Sequence, residues 1–167
     1  MNRFAEWLST TFLSVFIQNH NAWAIPAIQS IHIVGIGIVM GSVLMIDLRI
    51  LGWAGRDQTV RQTADRFLPW LTGALYLMLA TGILMVIGEP VRELITISFW
   101  VKMFLVAVGV VVAGVFQRKV QRGDSIDSAL ARAIALLMFL VCVAIIVLGR
   151  LIAYDHVWGS WSPATKA

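Results

Sequence analysis

The chain has 167 residues, 59% of them hydrophobic and 13% charged, where a soluble domain carries about 25% charged residues. An ordinary soluble fold is thereby excluded. The net charge of +4 is no nucleic-acid footprint either, because the basic residues gather in two short loops between apolar stretches: Arg49, Arg56, Arg61 and Arg66 in one, Arg118, Lys119, Arg122 and Arg132 in the other.

Residues 1–22 come first. Phe4, Leu8, Phe12 and Phe16 recur at a spacing of four, with Trp7, Thr11 and Val15 beside them. That pattern predicts an amphipathic helix lying on the membrane surface. A cleaved leader fits less well, because Glu6, Ser9, Thr10 and Thr11 interrupt the apolar run ahead of Ala22-Trp23-Ala24. Four apolar stretches follow, at Trp23–Ile46, Phe67–Ile87, Ile95–Phe116 and Ala129–Ala153. Each has about 20 residues, enough to cross about 30 Å of hydrocarbon as a helix. In lipid the backbone must satisfy its own hydrogen bonds, so the spans are helical. The expected fold is all-α: a polytopic four-helix membrane bundle over 23–157, with the surface helix before it and a short irregular tail over 158–167. The two basic loops belong in the cytoplasm by the positive-inside bias. Both termini and the Gly88-Glu89-Pro90 turn then face outward, on the periplasmic side of a bacterial inner membrane.

Several polar residues sit inside these spans. His32 lies about 13 Å along the first helix from Trp23, Lys102 about 10 Å along the third from Ile95, and Arg150 about 9 Å before His156 in the fourth, at 1.5 Å per residue. The three share one depth in the outer half, with Gln29 a turn above His32, and with Glu89, His156 and His20 towards the surface. Lysine and arginine reach the interface by snorkelling; a histidine cannot, and an ionisable group in a membrane helix is a functional candidate by default. Neutral imidazole is a ligand for haem iron, copper or zinc. Gly35, one turn below His32, offers clearance for a second helix or a flat cofactor, and Gly37 and Gly41 form a GxxxG pair. Lys102 and Arg150 suit anionic groups such as haem propionates. Asp47 and Arg49 read as an interfacial ion pair or a hydrogen-bonded helix end. The methionines and the lone Cys142 read as packing, and no CxxC or CxxCH motif is present. Tryptophans near the span ends form an aromatic belt. Nothing matches a Ser-His-Asp triad, a phosphate-binding glycine loop or a HExxH helix.

The stretches WAIPAIQSIHIVGIGIVMGSVLMIDLRILG, PWLTGALYLMLATGIL, FWVKM and LGRLIAY resemble a bacterial family of small four-helix membrane proteins that carries a domain-of-unknown-function label (DUF6644-like). More distantly they are similar to the copper-resistance D membrane proteins and the four-helix bacterial protoporphyrinogen oxidase, which also place a histidine in the first helix and a lysine in a helix beginning Trp-x-Lys. In the oxidase group these residues are tied to b-type haem; the matching positions here are His32 and Lys102. The chain departs from that group at Gly149-Arg150 and at Asp47-Leu48-Arg49.

The expectation is an integral-membrane protein holding haem b in its outer half for one-electron transfer. His32 is the axial ligand, His156 or a second chain's histidine the other, Lys102 and Arg150 hold the propionates, and Gln29 and Gly35 border the site. Its partners are the lipid bilayer, further copies of itself in a homo-oligomer, and a redox protein or quinone. The alternatives are a copper site built on His32, His156 and methionines, and a cofactor-free accessory subunit.

Overall fold

A computed structural model describes residues 2–122 and 128–154. They form seven helices: α1 (Asn2–Ser9), α2 (Phe12–Asn19), α3 (Asn21–Leu51), α4 (Val60–Gly88), α5 (Pro90–Ile95), α6 (Ile97–Arg122) and α7 (Ser128–Tyr154), with no strand among the described residues. Four of them are long and apolar enough to cross a membrane: α3, α4, Ile97–Lys119 of α6 and Ala129–Ile152 of α7. The chain has the architecture of a multi-pass membrane protein. Large side chains such as Ile33, Val34, Leu79, Phe104, Val111 and Leu140 are exposed on its flanks, as lipid-facing surfaces require. His156 and the tail over 158–167 lie outside the described residues.

The N-terminal segment is two short helices rather than one. The hydroxyls of Ser9, Thr10 and Thr11 donate to the carbonyl oxygens of Glu6, Trp7 and Leu8 at 2.6–2.7 Å. Such local bonds compete with the helical ladder, and the chain breaks there. The expected aromatic stripe is the outward one: Phe4, Trp7, Phe12 and Phe16 are exposed, while Ala5, Ser14 and Ile17 are buried.

The spans also extend beyond the apolar runs. α3 reaches Leu51 and ends in a Schellman motif: Gly52, at φ 76°, donates its N–H to Arg49, and Trp53 donates to Leu48. α4 starts at Val60, because Thr59 and Gln62 form a capping box in which each side chain accepts the other's backbone N–H. The signature Thr-x-x-Gln marks that start in the sequence. Pro90 opens α5 at its first turn. The Trp100 indole then donates to the Leu94 carbonyl at 3.0 Å, fastening α6 to α5.

α3 is the central helix. It packs chiefly against α4 and also against α7, which in turn carries α6; α4 and α6 touch only lightly. α1 rests on α5, and α2 rests on the α3–α4 pair. At that junction Ile17, Ala24 and Ile25 are buried together with half-buried Ile87 beside them. A Cβ on Gly88 would lie 2.8 Å from Ile25 Cδ1 and 2.9 Å from Ile17 Cγ2. Gly88 is therefore the hollow that receives α2 and the start of α3. Gly88→Leu should destabilise the protein by about 1–3 kcal/mol through overpacking, read as a lower Tm in detergent, with Ile17→Ala restoring part of the loss. Gly37→Ala, where nothing lies within 4 Å, should leave Tm unchanged.

Candidate functional site

His32 is half-buried on the α4 side of α3. Its ring Nδ1 lies 2.7 Å from Thr81 Oγ1 of α4. The Thr81 hydroxyl is 2.8 Å from the Leu77 carbonyl oxygen, to which it donates, with Met78 O at 3.2 Å. A hydroxyl has one proton. Both contacts are hydrogen bonds at once only when Nδ1 carries its own proton and donates to Thr81. With both bonds formed, the ring is the Nδ1–H tautomer and Nε2 keeps an unshared lone pair. A histidine ring oriented through one nitrogen so that the other is free to ligate is the usual arrangement in metal and haem sites. The ring passes over Gly82, with Cε1 3.8 Å from where a Cβ would sit.

Lys102 of α6 lies within electrostatic reach of His32. Its Cδ lies 4.0 Å from the Cβ position of Gly149 on α7, and its ammonium stands 5.5 Å from the centroid of the Phe99 ring, one turn nearer α5. The stem thus crosses apolar surface while the head climbs towards the polar end, which is snorkelling. From there the ammonium acts electrostatically on both His32 and Glu93. Glu93, in α5, is only 3% exposed. Burial pushes its carboxyl above the usual range; Lys102 and then Arg92 pull it back, and Glu89 pushes it up again. Arg92 pairs with Glu89 at 2.8 Å.

The expected site residues separate into those that meet and those that do not. His32 and Lys102 share one electrostatic neighbourhood. Gln29 sits half-buried on α3, a turn above His32. Arg150 lies on α7 next to Gly149, with its residue surface exposed. Gly35 does not hold space open: Met78 Cγ lies 2.8 Å from its Cβ position, and Ala74 and Leu77 close in at 3.8 Å. It serves the α3–α4 contact, and the clearance expected for a macrocycle is filled by Met78. His156 lies outside the described residues, and these hold no group of three or more His, Cys, Asp or Glu able to bind a metal ion. Asp47 is corrected as well. It does not pair with Arg49, whose Nε donates instead to the Gln58 carbonyl. Two residues apart, the side chains leave the helix on different faces, and Asp47 turns inward, 7% exposed.

Sequence reading missed Thr81 and Glu93. A threonine in a membrane helix ordinarily bonds its own preceding turn, as Thr81 does, so nothing in the sequence marks its second bond. Two measurements test this geometry. Nitrogen NMR of labelled imidazole should show the Nδ1–H tautomer of His32, with Thr81→Val raising the population of the other tautomer. Glu93 binds its proton more tightly folded than unfolded, so its contribution to stability is full at acid pH and is lost as pH rises through and above the usual carboxyl range. Tm in detergent should therefore fall along that rise, and Glu93→Gln should flatten the slope.

The comparisons with known proteins bear on the whole chain. A model of a family of unknown function, DUF6644, matches residues 4–155, a range that includes all four membrane helices, His32, Thr81, Glu93, Lys102 and Arg150. No curated protein and no solved structure matches, so the expected likeness to the copper-resistance D proteins and the oxidase is not shown. With nearly its full length matched, the chain belongs to the DUF6644 family.

Proposed function

We propose that this protein is an integral-membrane b-type haem protein that passes single electrons, with the haem at the end of the bundle where α5 packs. One observation carries the reading: the 2.7 Å contact of His32 Nδ1 with Thr81 orients the ring and turns Nε2 to the donor role, within electrostatic reach of the Lys102 ammonium. A neutral imidazole and a cation are the donor chemistry that haem b would take, one for iron and one for a propionate, and Met78 would have to move from Gly35 to admit the ring. The group would supply a reversible ferric–ferrous couple. His32 would hold the iron through Nε2, and Lys102 and Arg150 would hold the anionic propionates. Gln29 hydrogen-bonds nearby. A second histidine would complete the hold on iron, either His156 or one from another copy of the chain; the second case would make the working form a homo-oligomer. Lys102 carries a positive charge, which disfavours Cu⁺ beside it and favours iron with its anionic macrocycle over copper.

The basic loops lie at the opposite end of the bundle, and the positive-inside bias supports a haem end that faces outward, periplasmic in a bacterial inner membrane, with both termini on that side. The electron partner is a lipid-soluble quinone or a protein docking there.

A second reading has its own observation. The His32–Thr81 bond joins helices distant in sequence beside the tight Gly35–Met78 contact, which is also what a purely structural clamp between α3 and α4 requires. Purification in detergent from cells supplied with haem and copper separates the two. The haem reading expects a Soret band that shifts on dithionite reduction, is lost in His32→Ala, and survives in Lys102→Met with a lower midpoint potential, since removing a cation favours the ferric state. Full occupancy by copper without a Soret band moves the site to copper handling. A folded protein with neither leaves the clamp.

A further inference from the structure

At the other end of the bundle Asp47 stands on the wall of a cavity between α3, α4, α6 and α7. The wall is apolar almost throughout, with Val43 and Ile50 from α3, Leu68 from α4, Phe116 from α6 and Met138 from α7, and among the described residues the one other polar side chain lining it is Gln117 of α6. Asp47 Oδ2 is shut off from solvent and has no hydrogen-bond partner. Among the described residues no lysine, arginine or histidine lines the cavity. On α3 the nearest cation, Arg49, is turned away to Gln58. On α4 Arg61 is held, exposed, against Asp65 at 3.8 Å. On α7 the titratable neighbour is Cys142, within electrostatic reach of Asp47.

A buried polar atom without a partner is exceptional, and an ionised carboxylate without a counter-charge in a membrane interior is costly. Something else must complete this group. The cavity wall offers two oxygen-bearing side chains, Asp47 and Gln117, too few for a metal ion that takes about six oxygen ligands. A proton needs one. Asp47 lies about 7 Å along α3 from Gly52, where the helix ends, so the distance to water at the basic-loop end is short.

We propose that Asp47 is a proton-binding site that exchanges with water at the basic-loop end through this cavity. The reading stands on the cavity alone and does not depend on the haem. Hydrophobic carbodiimide tests it: the reagent adds to a protonated carboxyl in an apolar setting, the carboxyl oxygen attacking its central carbon while the acid proton passes to nitrogen, and the adduct rearranges to a stable N-acylurea. Intact protein in detergent, treated with dicyclohexylcarbodiimide across a pH series and mapped by mass spectrometry, should carry the adduct on Asp47. Labelling should fall progressively as pH rises and be lost in Asp47→Asn. Infrared spectra of the untreated protein should show a protonated-carboxyl stretch that shifts in heavy water and is absent from Asp47→Asn, a readout that needs no reagent access. Failure of both to find a protonated Asp47 at any pH overturns the proposal. So does protection of Asp47 by sodium at constant pH, which would make a metal cation the ligand.

Discussion

The closeness of α3 and α4 is the constraint on which the rest of the bundle depends. Lipid gives apolar helices little reason to leave it for one another, so packing and interhelical hydrogen bonds must hold them. The Gly35 hollow takes Met78. Three residues back on α3 and three forward on α4, His32 meets Thr81. Seven residues further along each, Ile25 fills the hollow at Gly88. These are successive contacts of one antiparallel seam, stepping by three and seven as helix periodicity requires. The histidine is placed by the same register that places the glycines, which is why its ring orientation is fixed.

Around this seam the polar groups divide by end. Glu89, Arg92, Glu93 and Lys102 form a charged layer with α5 at its centre, and α1 rests on α5. That layer is partly withdrawn from water and internally compensated, with a lysine reaching up from a membrane helix to join it. Among the described residues the opposite end has a single inward carboxyl and a set of arginines that bond to backbone carbonyls or to exposed acids. One end gathers Lys102, Arg92 and two glutamates; at the other a carboxyl meets apolar walls. The exposed flanks between them carry the large aliphatic and aromatic side chains that solvate the bundle in lipid.

The sequence made the four spans legible because runs of about 20 apolar residues have few other uses. His32 and Lys102 stood out against that background for the same reason. Helix ends were less visible, since a hydropathy reading stops where charge begins, whereas α3 runs on to the Gly52 cap and α4 begins at the Thr59–Gln62 box, both in polar sequence. That difference accounts for Asp47. Near the edge of an apolar run it reads as interfacial; with α4 extended back to Val60 beside it, the same residue is enclosed. Gly35 was legible as a close approach, but composition does not say whether a cofactor or a methionine makes it. Thr81 was illegible because its partner lies on another helix.

The Asp47 cavity draws its walls from all four membrane helices, and this has a consequence for how the protein is made. The α3–α4 hairpin is synthesised first, and at that stage the carboxyl has neither Gln117 nor Met138 over it. Only the arrival of α6 and α7 shuts it away. The burial of Asp47 is thus a record of completed assembly, carried by a residue that leaves the ribosome long before the helices that enclose it.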